Sequence, residues 1–102
     1  MITKYKFTMR DLEKKYGPLT FAKFLMSWRL CEGLTQVQFS KKLGISKANL
    51  CDLEKGRKKV SPCRAAKIAL ILSLSEAGLI QIALQDILRD SNLSFQVEVD
   101  AA

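Results

Sequence analysis

Apolar residues recur at three- and four-residue spacing through most of this chain, in six runs separated by residues that cap or break helices. That period puts them on one face of an α-helix. Thr8 caps a first short helix with Met9, Leu12 and Tyr16 on one side. Gly17-Pro18 ends it, because proline drives the residue before it out of the helical region. Thr20 caps the next helix, over about Phe21–Cys31. Phe21, Phe24, Leu25 and Trp28 form its broad inner face, and Gly33 closes it. Further on, Ser61-Pro62 is a cap followed by proline at the first helical position. The helix it opens reaches about Leu74, with Ala65, Ile68, Ala69 and Leu72 inward. Ser75 caps a last helix, over about 76–89.

Between these lies the most telling stretch, LTQVQFSKKLGISKANLCDLEKG from Leu34 to Gly56. Thr35 is a good N-cap, and Gln38 three residues on completes a capping box. Phe39 and Leu43 give this helix an apolar face, and Gly44 supplies the left-handed residue that stops it. Ser46 caps a second short helix with Leu50 and Leu53 inward, which Gly56 stops. Two helices joined by so short a turn cross steeply, which is helix-turn-helix geometry. The outer face of the second helix, over 46–55, is then free to enter a DNA major groove.

The last helix is apolar nearly all round, through Leu79, Ile80, Ile82, Ala83, Leu84, Ile87 and Leu88. Such a helix is usually buried on two sides, and the second side is most simply a partner subunit. After Ser91-Asn92 the period changes. Phe95, Val97 and Val99 alternate with Gln96, Glu98 and Asp100, which is a strand signal. A lone strand needs a partner for its backbone groups. A two-fold related copy or another protein would supply one; the alternative is a frayed tail with accidental alternation. The expected architecture is therefore all-α with a short C-terminal β-strand. Residues 1–19 form an N-terminal helical extension, 20–75 the helix-turn-helix domain, and 76–102 a dimerisation helix and strand.

Charge strengthens this picture. The 102 residues carry a formal charge of +7. Lys41, Lys42, Lys47, Lys55, Arg57, Lys58, Lys59, Arg64 and Lys67 are opposed only by Asp52 and Glu54, so the segment 41–67 alone nets +7. The whole excess sits on and just after the two short helices, as a nucleic-acid face requires. Other chemistry is poorly supplied. With no histidine and only Cys31, Cys51 and Cys63 widely spaced, neither a zinc site nor an activated thiol is expected. No metal, no cofactor and no catalytic residue is foreseen. There is no apolar run long enough to span a membrane. The N-terminus carries acids and lacks an apolar core, unlike a secretory signal. A cytoplasmic protein is the expectation.

The residues from Phe24 to Leu74 resemble the phage-repressor and Cro-like helix-turn-helix family, also called XRE. Leu25, Trp28, Arg29, Gly33-Leu34-Thr35-Gln36, Phe39, Leu43-Gly44-Ile45-Ser46, Leu50 and Leu53-Glu54-Lys55-Gly56 carry the resemblance. Ser40 stands where the family usually has alanine, at the close contact of the two helices. The resemblance implies double-stranded DNA as partner. Lys47, Ala48 and Asp52 correspond to base readers, and Asn49 beside them would reach a base or a phosphate. Lysine suits guanine acceptors, alanine a thymine methyl, and aspartate the cytosine amine. Asp52 facing DNA points either to such a contact or to an internal pair with a nearby lysine. Gln36 would contact a phosphate and buttress the reading helix, and Lys55, Arg57, Lys58, Lys59 and Arg64 would clamp the backbone. Arg29 and Glu54 would form a buried structural ion pair.

Two functions fit these features. One is a sequence-specific, homodimeric (auto)repressor. Its dimer or partner contacts would come from Leu79, Ile80, Leu84, Ile87, Phe95, Val97 and Val99. The lead-in KKYGPLTF and the SPCRAAK segment resemble antitoxin-type regulators, and that resemblance implies the other: an antitoxin that neutralises a toxin protein through its C-terminal region and regulates its own operon. An enzyme is disfavoured, for want of any acid/base pair or phosphate-binding loop.

Overall fold

A computed structural model describes residues 19–100. The helix expected around Met9, Leu12 and Tyr16 lies outside them. Five helices follow: α1 (Phe21–Cys31), α2 (Gln36–Leu43), α3 (Lys47–Glu54), α4 (Pro62–Leu72) and α5 (Glu76–Asp90). Each opens on the cap that the sequence announces. The side chains of Thr20, Thr35, Ser46, Ser61 and Ser75 accept the N–H of the residue three positions on. At Thr35 the box is reciprocal, with Gln38 Oε1 accepting the Thr35 N–H at 2.9 Å. Gly44 sits at φ 73°, where a side chain would be strained, and so permits the abrupt turn from α2 into α3. One stop was not legible. α4 ends at Leu72 because Ser73 adopts the left-handed region at φ 59°. The Leu74 amide then bonds back to the Ala69 carbonyl at 2.8 Å, closing the helix as a glycine would.

All five helices contribute to one core. Phe21, Leu25, Phe39 and Leu50 are its largest fully buried side chains. Ala65, Ile68, Ala69 and Leu72 of α4 face them, and Leu79 and Ala83 of α5 complete the cluster. Trp28 stacks on Phe39 with ring centroids 5.5 Å apart, while Lys42 lies over the outer indole face. Ser40 is buried where α2 meets α3. Its hydroxyl donates to the Val37 carbonyl at 2.8 Å, so a residue little larger than alanine sits there with no unpaired polar group.

Two buried carboxylates fix the arrangement of these helices. Glu54, the last residue of α3, has a fully buried side chain. Arg29 of α1 grips it through Nε at 2.8 Å and Nη2 at 3.2 Å, and Gln36 at the start of α2 donates to it at 3.0 Å. Arg29 Nη1 donates to the Leu34 carbonyl as well, at 3.1 Å. A planar guanidinium suits this multiple engagement in a way that an ammonium does not. The second carboxylate is Asp86 of α5, which is 6% exposed. It accepts the Phe21 N–H at 3.0 Å, capping the first turn of α1, and pairs with Arg89 at 3.0 Å. A negative charge at a helix N-terminus is favoured by the unsatisfied N–H groups there.

The expected β-strand is not formed. Residues 93–100 contain no strand. The segment instead lies against α5 of its own chain, and two glutamines do the work of a neighbouring strand. Gln85 accepts the Val97 N–H at 2.9 Å and donates to the Phe95 carbonyl at 2.7 Å, and Gln81 accepts the Val99 N–H at 3.2 Å. Val97 and Val99 are half-buried, while Gln96, Glu98 and Asp100 are exposed. At Val97 and Val99 the alternation serves packing on a helix, while Phe95 stays exposed. Side-chain amides satisfy the backbone that seemed to require a second strand. Gln81 and Gln85 stand four residues apart, on one face of α5.

Removing one partner of the buried pair, as in Arg29→Ala, should lower unfolding free energy by about 3–5 kcal/mol, since Glu54 is left buried and unpaired. Replacing both by apolar residues (Arg29→Met with Glu54→Leu) should recover most of that loss. Asp86→Ala should cost about 1.5–3 kcal/mol. Urea titration of the full chain checks all three, and equal losses for the single and double substitutions would contradict the account of Glu54.

Candidate nucleic-acid interface

The fold divides α3 into two faces. Leu50, Leu53 and Glu54 are buried. Lys47 and Ala48 are exposed, and Asn49, Cys51 and Asp52 are half-buried. Ser46 holds the start of the helix through the Asn49 N–H, at 3.0 Å. The anchor at its other end is Glu54, inside the cluster made with Arg29 and Gln36. The outer face therefore stands on a helix fixed at both ends, with α2 packed behind it.

The basic residues expected to act together are partly brought together. Gly56, at φ 75°, turns the chain after α3. The Arg57 and Lys58 amides then donate to the Asp52 carbonyl, at 2.9 and 3.4 Å. Their side chains reach the same residue, with Arg57 Nη1 3.4 Å from Asp52 Oδ1 and Lys58 Nζ 3.7 Å from Oδ2. Lys58 also donates to Asn49 Oδ1 at 2.9 Å. Two expected readers and two expected clamps thus form one exposed network. Lys59 has its own partner, Asp90 at the end of α5, at 3.1 Å. Lys47, Lys55 and Arg64 are exposed, with no ion pair among the described residues.

Beside this network is an open cleft of about 330 Å³, lined by Asn49, Leu53, Lys58, Lys59, Ser61 and Arg64. Its far wall is the start of α4, which has no acidic residue in its first turn. Three cations around one cleft suit an anionic oxygen group such as a phosphate. Ser61 was read from the sequence only as a helix cap. Its position beside Lys58 and Arg64 depends on how the 55–61 loop folds back, for which the sequence carries no signal. Gln36 likewise has one amide hydrogen engaged with Glu54, and the other remains for an outside acceptor.

The residues expected at a dimer or partner contact are dispersed. Leu79 belongs to the core, and Ile80 packs half-buried against it. Leu84 is half-buried, and Val97 and Val99 lie on α5 of the same chain. Ile87 is 40% exposed and Phe95 68% exposed. Leu93 and Leu70 are further exposed apolar residues at this C-terminal half of the chain. Among the described residues no helix is long and apolar enough to cross a membrane, and no cluster of His, Cys, Asp or Glu could hold a metal ion.

No curated protein and no solved structure matches the chain significantly. The helix-turn-helix family matches residues 25–79, from the middle of α1 to the first turn of α5 and more than half of the sequence. With α2 and α3 joined at the Gly44 turn, and α3 presenting its outer face beside the basic loop that follows it, the chain belongs to the phage-repressor-like (XRE) helix-turn-helix family of DNA-binding transcriptional regulators.

Proposed function

We propose that this chain is a sequence-specific repressor that binds DNA as a homodimer, with α3 as its reading helix. The observation that carries this is the division of α3. Its inner residues are locked in the core by Glu54, while Lys47 and Ala48 face solvent inside the segment 41–67, which nets +7. Lys47, Ala48, Asn49 and Asp52 contact base edges. Lysine donates to guanine, the alanine methyl packs on thymine, asparagine pairs with adenine, and aspartate accepts from cytosine. Lys55, Arg57, Lys58 and Arg64 hold phosphates, together with the spare Gln36 N–H. Lys59 shares that role through the cleft it lines.

A single reading helix covers too few base pairs to specify a site, and two of them about 34 Å apart would address successive turns of the same DNA face. Ile87, Leu93 and Phe95 offer exposed apolar surface at the end of the molecule formed by α5. Burying them against a second copy supplies the association.

Lys47→Ala should change the preferred sequence, costing about 1–3 kcal/mol at one base position and little on random duplex. Lys58→Ala should weaken all sequences alike and lower the salt slope of binding by about one. Fluorescence anisotropy on duplexes selected from a random pool separates the two, and equal losses on selected and random DNA for both variants would refute the division of roles. Sedimentation should show a dimer at micromolar concentration that the double substitution Ile87→Glu with Phe95→Glu converts to monomer. A wild-type chain that is monomeric when saturated with its selected duplex would refute the dimer.

A further inference from the structure

Asp52 is out of place by charge. It lies on the outer face of α3, in a segment otherwise supplied with cations, where a carboxylate meets the phosphates of any duplex that approaches. The fold nevertheless builds a site around it. Its own carbonyl receives the Arg57 and Lys58 amides, so the loop after α3 is wound onto this residue by its backbone. Both side chains then meet its carboxylate, at 3.4 Å from Arg57 and 3.7 Å from Lys58. The left-handed turn at Gly56 makes that winding possible. Lys58 is held a second time by Asn49 Oδ1. In the free protein, two of the backbone-clamping cations are thus occupied by an internal anion that takes the place of a phosphate.

We propose that Asp52 is a specificity-determining residue that acts chiefly by restraining non-specific binding, as a stand-in phosphate for Arg57 and Lys58. This rests on the reading that α3 enters the major groove. On a duplex of arbitrary sequence, Arg57 and Lys58 must leave Asp52 to reach phosphates. The carboxylate is then left unpaired beside a polyanion. On the correct sequence the same exchange occurs, but a base-edge donor such as the cytosine amine takes over the carboxylate. The restraint therefore subtracts from binding at wrong sites and is largely recovered at the right one. Discrimination of this kind comes from a built-in penalty against competitors rather than from added contacts to the target. It matters because competing sites in a genome far outnumber the operator. Asn49 takes part in the same exchange, since its carbonyl oxygen is released only when Lys58 departs.

The test is Asp52→Asn, with Asp52→Ser as a second variant should the first fold poorly, each checked by circular dichroism. Anisotropy is measured on a random-sequence duplex and on a duplex selected by the wild-type chain. Exposed pairs of this kind each shift an equilibrium by about two- to fivefold. The expected result is about fivefold tighter binding to random duplex at low salt, with a smaller gain or a loss on the selected duplex. The gain should shrink as salt rises and the pairs are screened. In the background Arg57→Gln with Lys58→Gln, Asp52→Asn should tighten random binding by much less, since only the repulsion between carboxylate and phosphates is then relieved. A gain of undiminished size in that background is a general charge effect and overturns the proposal. Unchanged affinity for random duplex overturns it too, including the case where only the selected duplex is lost and Asp52 is simply a base reader. A wild-type chain that binds no duplex at all is a different failure, and removes the reading of α3 itself.

Discussion

The structure depends on one buried carboxylate. Glu54 ends α3 inside the protein, where an isolated anion would be far too costly to keep. Arg29 of α1 and Gln36 of α2 satisfy both of its oxygens, so three helices that share little sequence continuity meet at one point. Apolar contact between Leu25, Phe39, Leu50 and Leu53 supplies most of the attraction. Such contact is nearly indifferent to small rotations of a helix, whereas a guanidinium fork is not. The cluster thereby fixes the angle of α3 about its own axis, and that angle decides which residues face outward.

Asp86 does for the other end of the core what Glu54 does for this one. It caps α1 from α5, so the C-terminal helix is joined to the start of the domain by a directed bond as well as by Leu79 and Ala83. The molecule is then a closed loop of contacts: α5 holds α1, α1 holds α3, and α2 and α4 fill the space between. The surface left open is the basic one, where Lys47, Lys55 and Arg64 project and where Arg57 and Lys58 engage Asp52. Rigid support behind a charged and adaptable face suits recognition of a ligand whose backbone is uniform and whose base edges differ.

The local vocabulary of the chain was almost fully legible. Thr20, Thr35, Ser46, Ser61 and Ser75 are caps because their side-chain oxygens reach an N–H three residues on, a relation set by sequence spacing alone. Gly44 stops α2 for an equally local reason. Ser73 shows where local reading runs out. Serine has no preference for a left-handed conformation, and only its place in the packed α4–α5 corner imposes one. Residues 93–100 are the sharper case. Their alternation holds for Val97 and Val99 but not for the exposed Phe95, and it suggested a strand because strands are the commonest reason for that period. Gln81 and Gln85 answered the backbone instead, and nothing within residues 93–100 could announce them.

By itself the sequence determined the helices α1 to α5, their caps, the short turn between α2 and α3, the buried apolar residues of α1 to α4 and the +7 of segment 41–67. These follow from periodicity and short-range hydrogen bonding, which act within a few residues. Tertiary structure alone decided that Gln36 joins Glu54, that Asp86 caps α1, that Lys59 turns to Asp90 while Arg57 and Lys58 turn to Asp52, and that the last residues lie along α5. Those outcomes pair groups that the chain brings near only after it has folded, and a polar group commits to whichever partner its burial or reach allows.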